Sequence, residues 1–340
     1  MTKSAPVGTC ADVTLITSTY ASGRHIRKFS DRALALFSSL ASHGVRGQLV
    51  VVANEPTDVE RRALNRLAQA SVSIPDFSLK TFMVSRETLY ASWNRGLAAA
   101  DGQLLGFWNV DDWRNTAAIV EGLDLLRRGH RLVYFPWVEV QAFGWPLPAM
   151  VGSPSFPDVP EFDRTLFLSA MNVGPFFLLD RRLLDVVGCF DEQFYIAGDF
   201  EWAVRAARAT DFFRGRSIGG VFLRNPLGLS GSGHPRHAAE RNVIRLRHGT
   251  GGDLETVSPA LMAEYFRPTD AVALLTVGGQ NGLKMPLESG QPPFSEEAWR
   301  RTQRSIRCRR LALWLPRYFA RVVGWESSFE RALTRLRSRT

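Results

Sequence analysis

The chain has 340 residues, of which 45% are hydrophobic, and a formal net charge of +9. This length is enough for one large domain with an extension. The cysteines Cys10, Cys189 and Cys308 form no C-x-x-C pair, so no disulfide framework is expected, as suits a reducing cytosol. No apolar run approaches the ~20 residues that span a bilayer, and residues 1–13 have no signal-peptide core, so we expect a cytoplasmic protein.

The positive charge is concentrated at the C-terminal end. Twelve arginines and two glutamates between Arg300 and Thr340 give this segment a charge of +10 and leave the other residues at −1. Large apolar residues such as Trp314 and Phe319 are interleaved with the arginines. This mixture is typical of a helix that lies on an anionic membrane surface. The alternative is a helical subdomain with a solvated basic face. Nucleic acid is not expected, because no nucleic-acid motif accompanies the charge.

Apolar segments alternate with amphipathic helical segments in the first part of the chain. Strands are predicted at residues 13–17, 48–53, 81–84, 104–108 and 131–137, with a turn at 18–23 after the first. This alternation indicates right-handed βαβ units, and so an α/β fold with a Rossmann-like, mainly parallel sheet and helices on both faces. Neither a G-x-G-x-x-G fingerprint nor a P-loop follows the first strand, which argues against a dinucleotide dehydrogenase or a P-loop kinase.

Polar residues mark the expected starts of the helices. Ser30, Ser85 and Asn115 are predicted N-caps, because their side-chain oxygens can accept a hydrogen bond from the first turn. Thr57 and Glu60 have the spacing of a capping box.

The most informative stretch is residues 104–113, which read LLGFWNVDDW. An apolar strand ends abruptly at Asn109, followed by Asp111 and Asp112, and ligands of open α/β sheets bind at such carboxyl ends of strands. Adjacent carboxylates repel each other unless a cation or a donor separates them, and oxygen ligands suit Mg²⁺ or Mn²⁺. The stretch therefore predicts a divalent metal site at the two aspartates. The alternative is an ordinary polar turn.

Beyond residue 137 the regular pattern is interrupted. Residues 143–162 contain five prolines, which indicates a long loop, more often a functional lid than a linker. A strand is predicted again at residues 174–179. Asp199 falls where a helix should start, since Trp202 and Ala206 continue at helical spacing.

Residues 11–250 resemble a family-2 glycosyltransferase of the GT-A fold. The motifs that carry the resemblance are, in chain order, Ser18-Thr19-Tyr20, residues 51–58 (VVANEPTD), residues 94–102 (NRGLAAADG), Asn109-Val110-Asp111-Asp112, residues 188–192 (GCFDE), and residues 198–202 (GDFEW) with Arg205. Each motif is weak alone, but their order and spacing make coincidence improbable.

Three positions depart from the family pattern. Ala53 and Asn54 stand where an acidic pair usually follows the second strand. Asn109 replaces the first acid of the metal motif, and Gly198 replaces the glutamate of an E-D pair. These departures concern individual contacts, whereas the order of the motifs indicates the class.

The resemblance implies roles for individual residues. Asp199 is expected to be the catalytic base, and Glu201 to orient the acceptor or, equally, to form an ordinary ion pair with Arg205. His234 is expected to complete the metal site formed by Asp111 and Asp112. The residues expected to bind the nucleotide sugar are Thr17, Thr19, Tyr20, Asn54, Arg86, Asn94, Asn109 and Asp111.

These features together predict a metal-dependent, inverting, non-processive glycosyltransferase. It would use Mn²⁺ or Mg²⁺ and move a sugar from a nucleotide sugar, in the first instance a UDP-sugar, to a glycan or lipid-linked glycan. The transferase domain is expected at residues 1–250, with a nucleotide-binding half at 11–137, an acceptor half at 138–250, and a helical basic extension at 251–340. The extension would hold a cytoplasmic protein peripherally at the inner face of the membrane. The alternatives are a nucleotidyltransferase of related fold and a catalytically degenerate glycan-binding or scaffold protein.

Overall fold

The computed structural model describes residues 11–141, 154–224 and 235–250. The strands are β1 Val13–Tyr20, β2 Gly47–Asn54, β3 Phe77–Val84, β4 Leu104–Phe107, β5 Trp113–Arg114, β6 Leu132–Tyr134, β7 Val138–Gln141, β8 Phe177–Asp180, β9 Phe212–Arg214 and β10 Gly220–Arg224. The helices are α1 Ile26–Ser42, α2 Asp58–Ser71, α3 Leu89–Ala99, α4 Thr116–Arg127, α5 Arg164–Ser169, α6 Leu183–Val187, α7 Gly198–Ala209 and α8 Pro235–His248.

Seven strands form the main sheet, in the order β3-β2-β1-β4-β8-β6-β9. β8 is antiparallel to both of its neighbours, and the other paired strands of this sheet run parallel. A second sheet has the order β5-β10-β7. The predicted mainly parallel sheet is therefore confirmed, with one reversed strand inserted between β4 and β6.

Helices cover both faces of the main sheet, as the alternation in the sequence predicts. Apolar residues of α1, α2 and α4 form one core cluster with those of β1, β2 and β4. On the opposite face α3 lies so close to β1 that a Cβ atom on Gly96 would overlap the side chain of Ile16. The glycine thus permits a close approach of helix and sheet that a larger residue would prevent.

The local start signals are confirmed in two places. Thr57 accepts from the backbone N–H of Glu60, and the Glu60 carboxylate accepts from the backbone N–H of Thr57, which is the reciprocal capping box. Asn115 caps α4 by accepting a hydrogen bond from the backbone N–H of Ala117 at 3.1 Å.

Two predicted caps are wrong. α1 begins four residues before Ser30, whose hydroxyl donates to the carbonyl of Ile26 inside the helix. α3 is capped by Thr88 and not by Ser85, since the Thr88 hydroxyl accepts from the N–H of Ala91. The N-cap of α1 is His25, which makes no side-chain capping bond. At α3 both Ser85 and Thr88 precede the apolar stripe, and the sequence does not distinguish between them.

The predicted turn at residues 18–23 is also wrong in its first half. β1 continues to Tyr20, with Ser18, Thr19 and Tyr20 paired to residues 52–54 of β2. Pairing with a strand that is buried along its whole length extends β1 through these residues, of which Thr19 and Tyr20 also have favourable strand propensity.

The chain separates into two compact units. One contains the described residues 11–139 and 155–223, and the other contains residues 140, 141, 154, 224 and 235–250. Within the second unit, α8 has a buried Glu240 that accepts from Nε of Arg236 at 2.7 Å. No helix in the described ranges is long and apolar enough to cross a membrane. The extension expected at residues 251–340 lies outside them.

Candidate nucleotide-sugar site

The carboxyl ends of the parallel strands bring many of the predicted site residues to one edge of the main sheet. Tyr20, Asn54 and Val84, the last residues of β1, β2 and β3, lie side by side in the strand register. β4 ends earlier, at Phe107, which is paired with Ile16 of β1. The acidic residues that follow β4 are therefore delivered to the same edge.

The loop at residues 109–112, here called the acidic loop, is held by Asp112. Its Oδ1 accepts from the backbone N–H of Leu223 at 3.0 Å, and its Oδ2 accepts from the Asn109 side chain at 3.1 Å. Only 2% of Asp112 is exposed. Asp112 therefore anchors the loop to β10, and Asn109 is committed to Asp112, whereas Asp111 is only half-buried.

Crowding and burial disfavour the negative charge in the acidic loop. The pKa of Asp112 is raised to about 8, first by burial and then by the neighbouring Asp111. Burial also raises the pKa of Asp111, while the nearby His25 and Arg32 act in the opposite direction. A positive charge added beside these two carboxylates would therefore stabilise their ionised form.

Two arginines that no sequence motif indicates lie beside the acidic loop. Arg32 of α1 donates from Nη1 to the carbonyl oxygens of Asp111 and Asp112 at 3.2 and 3.1 Å, and its guanidinium lies 3.5 Å from the centroid of the Trp113 ring. Arg114 donates to the carbonyl of Phe107, and burial lowers its pKa to about 10. Arg32 lies 79 residues from Asp111 in the chain, so no local pattern reveals the contact.

The loop fits a hard divalent cation only in part. In the part of the chain that the structure describes, no three His, Cys, Asp or Glu side chains converge as a metal site would require. Asp111 offers an accessible carboxylate, and Asp112 already accepts two hydrogen bonds. One or two carboxylates, completed by substrate phosphates, is a common arrangement for Mg²⁺. The expected ligand His234 lies outside the described residues.

Asn54 is at the expected edge but is fully engaged with protein groups. Its amide nitrogen donates to the hydroxyls of Ser92 and Ser18 at 2.9 and 3.3 Å, and its oxygen accepts from the backbone N–H of Glu87. Through these bonds the buried Asn54 holds the start of α3 close to the ends of β1 and β2.

The end of β1 presents one exposed aromatic ring. Tyr20 is 48% exposed, and the guanidinium of Arg86 lies 4.3 Å from its ring centroid. The structure thus brings together two residues that the sequence analysis expected to contact the nucleotide. Thr17 and Thr19 are buried, and neither hydroxyl has a hydrogen-bond partner among the described residues.

Asn94 ties α3 to the segment at residues 188–192. Its side chain accepts from the backbone N–H of Phe190 and donates to the carbonyl of the same residue, both at 2.9 Å. It also donates to the carboxylate of Glu192 at 2.8 Å. The structure therefore places Asn94 in a helix-to-loop contact.

The first turn of α7 carries both expected catalytic acids. Ala197 is the N-cap, so Asp199 is the second residue of the helix, where its half-buried carboxylate accepts from the N–H of Phe200 at 2.8 Å. Glu201 is 1% exposed and accepts from Nε and Nη2 of Arg205 at 2.8 to 3.0 Å. The expected ion pair is present, and Asp199 is the more accessible acid.

This sheet order, with an acidic loop after β4 and a helix carrying acids at its start, defines an α/β fold of the GT-A type. The sequence matches no protein-family model and no curated protein sequence. Among solved structures, Staphylococcus aureus TarS (residues 1–349) is 13% identical, with 94% of this chain and 92% of that chain covered and a TM-score of 0.51.

Two further structures share the fold. The same part of S. aureus TarS in complex with UDP-GlcNAc aligns with 13% identity over 94% of this chain and 92% of that chain, with a TM-score of 0.53. The mannosyltransferase PcManGT from Pyrobaculum calidifontis, in complex with GDP-Man and Mn²⁺, is 16% identical over 94% of this chain and 88% of that chain, with a TM-score of 0.50. These likenesses confirm the predicted fold class.

Proposed function

We propose that this protein is a metal-dependent, inverting glycosyltransferase that uses a nucleotide-sugar donor. The observation that carries the proposal is the pair of accessible acids, Asp111 in the acidic loop and Asp199 at the start of α7, on a sheet of the GT-A type. Further support comes from the structural neighbours, since TarS has been solved with UDP-GlcNAc and PcManGT with GDP-Man and Mn²⁺.

On the donor side, Asp111 would be the direct ligand of Mn²⁺ or Mg²⁺, and Asp112 would hold the loop in shape. When bound, the cation offsets the charge of the departing nucleoside diphosphate. Arg32 bonds to the backbone carbonyls of Asp111 and Asp112, so it would hold the backbone of the loop in place when a ligand arrives. Burial of Asp112 prevents it from competing for the ligand.

On the acceptor side, Asp199 would take the proton from the attacking hydroxyl. Its carboxylate is half-buried and lies in the first turn of a helix, where the helix dipole favours the ionised form that a base requires. One such base on the acceptor, with no enzyme nucleophile, leads to inversion in a single displacement. Glu201 would support this geometry through its ion pair with Arg205.

The exposed ring of Tyr20 and the guanidinium of Arg86 are proposed to contact the donor nucleotide. A ring at a strand end offers a stacking surface for a base, and an arginine beside it offers a cation for the diphosphate. Asn109 and Asn54 would act indirectly, because their side chains already bond to protein groups. Thr17 and Thr19, buried in β1, would support the strand that carries Tyr20.

The finer assignment follows the sequence resemblance. We propose a family-2, non-processive enzyme that transfers a hexosyl unit from a UDP-sugar to a glycan or lipid-linked glycan. The transferase domain would occupy residues 1–250 and the basic extension residues 251–340. His234 would complete the metal site.

The basic extension is proposed to bind the inner face of the membrane. The full chain should bind anionic vesicles at low salt and release them as salt rises, whereas a chain that ends at residue 299 should not bind. Binding by the shortened chain, or indifference of the full chain to anionic vesicles at low salt, would rule out this role.

The proposed activity is tested by ligand-dependent melting and by the product released. UDP, UDP-GlcNAc and GDP-Man are each added with Mn²⁺ or with chelator, and a bound ligand raises the melting temperature by an amount that grows with concentration over Kd. Slow metal-dependent release of a nucleoside diphosphate supports the transferase. Release of pyrophosphate indicates a nucleotidyltransferase instead, and glycan binding with no turnover of any donor indicates a degenerate, non-catalytic protein.

A further inference from the structure

Gly198, at the start of α7, leaves room for an aromatic ring from another helix. A Cβ atom at this position would lie 2.7 Å from Cδ2 and Cε2 of Tyr90, which is too close for any real side chain. Tyr90 belongs to α3 and is 1% exposed. The ring of Tyr90 therefore occupies the volume that a side chain at position 198 would need.

The hydroxyl of Tyr90 reaches the neighbourhood of Asp199. It lies 2.6 Å from the carbonyl oxygen of Ile196 and 3.2 Å from Oδ1 of Asp199. A phenol has one proton and can also accept a hydrogen bond. It can therefore donate to an ionised Asp199 or, while it donates to Ile196, accept from a protonated Asp199.

The position of this hydroxyl is fixed by packing. The Tyr90 ring meets Trp93 edge-on, with centroids 5.5 Å apart, and stacks on Phe190 at 5.9 Å. Asn94, one helical turn further along α3, bonds to the backbone of Phe190 in both directions. A polar group held by a packed ring has few alternative rotamers, so it can direct its neighbour with little loss of entropy.

We propose that Tyr90 is a positioning residue for Asp199. It holds the carboxylate toward the acceptor and offers a partner to both of its protonation states. This inference rests on the proposed function, since it assigns a supporting residue to the proposed base. Displacement of a reacting group by about 1 Å can cost roughly 100-fold in rate, so the expected effect is on turnover and not on donor binding.

The test compares two tyrosine-to-phenylalanine variants. Tyr90→Phe removes one buried hydroxyl that lies 2.6 Å from a carbonyl, and the control Tyr134→Phe removes another, which donates to the carbonyl of Pro160 at 2.7 Å. Both should lower the melting temperature by a similar amount, about 2–4 °C. Only Tyr90→Phe should reduce kcat, by roughly 10- to 100-fold, with the donor KM and the Kd for UDP with Mn²⁺ unchanged.

A double-mutant cycle separates action through Asp199 from general damage. In an Asp199→Asn background, with turnover followed by radiolabelled donor, Tyr90→Phe should cause no further loss, because the residue it positions can no longer take a proton. An equal further loss in that background would overturn the proposal, and so would a Tyr90→Phe enzyme as active as Tyr134→Phe. A wild-type protein that binds no nucleotide sugar and turns over none would instead overturn the proposed function itself.

Discussion

The acidic loop after β4 and the first turn of α7 each carry two acidic residues, and in each place one acid is anchored while the other is accessible. In the loop, Asp112 is buried and accepts two hydrogen bonds, whereas Asp111 is half-buried. In α7, Glu201 is buried and paired with Arg205, whereas Asp199 is half-buried. A carboxylate can exchange a ligand or a proton only if it is accessible, so the accessible member of each pair is the chemical candidate.

The two anchors differ in how their charge is balanced. Glu201 accepts charge-assisted hydrogen bonds from both Nε and Nη2 of one guanidinium, which is a strong and directional contact. Asp112 accepts from two neutral groups, the backbone N–H of Leu223 and the side-chain amide of Asn109, and burial raises its pKa to about 8. Glu201 is thus neutralised in an ion pair, whereas Asp112 is a carboxyl that a proton or a nearby cation would stabilise.

The largest effect is expected from Asp199→Asn. Transfer should fall roughly 10²- to 10⁴-fold, the value of general-base catalysis, because an amide cannot take the acceptor's proton. Stability should be nearly unchanged, since the amide oxygen can still accept from the N–H of Phe200 and the hydroxyl of Tyr90. Steady-state kinetics and calorimetry with UDP measure the two effects separately. Retention of most of the turnover would assign Asp199 a structural role and move the base elsewhere.

Glu201→Gln should damage stability instead of chemistry. It leaves the Arg205 guanidinium without its charged partner in a largely buried site, which costs about 3 kcal/mol in the free energy of unfolding. Urea denaturation measures this loss, and turnover per folded molecule should stay within a few fold of wild type. A turnover loss as large as that of Asp199→Asn in fully folded protein would reverse the roles of the two acids.

Asp111→Asn should weaken the metal-dependent affinity for UDP by at least about 10-fold, or ~1.4 kcal/mol, because the accessible carboxylate is the proposed ligand. Calorimetric titration in Mn²⁺ and in chelator gives the metal-dependent part. The matched variant Asp112→Asn should preserve more of this affinity. If the two variants lose equal affinity, the distinction between anchor and ligand in the acidic loop is wrong.

The smallest effect concerns the pH dependence of stability. The folded-state pKa of Asp112, about 8, lies above its unfolded value of about 3.9, so its contribution is present at low pH and is lost as pH rises. In chelator, wild-type stability should therefore fall more steeply between pH 5 and pH 8 than that of Asp112→Asn. Urea melts of both proteins across this range test the prediction, and parallel pH profiles would contradict it.

Local signals in the sequence predicted the elements and some of their ends. The Thr57–Glu60 box and the Asn115 cap were confirmed, because each bonds within three residues of itself. Caps predicted at Ser30 and Ser85 were wrong, because α1 already begins at Ile26 and Thr88 caps α3. Placement of the acidic residues at a strand end also followed from local pattern, because the change from apolar to acidic residues is abrupt.

By itself the sequence determined the α/β class, the mainly parallel sheet and the edge at which the acids gather, because these depend on periodicity and on where apolar runs end. Only the tertiary structure decided which acid of each pair is accessible. That outcome depends on Leu223, Arg32 and Tyr90, which hydrogen-bond to the acidic residues although they lie 80 to 111 residues away from them in the chain. Such contacts form only when distant helices and strands pack together, so no local spacing in the sequence predicts them.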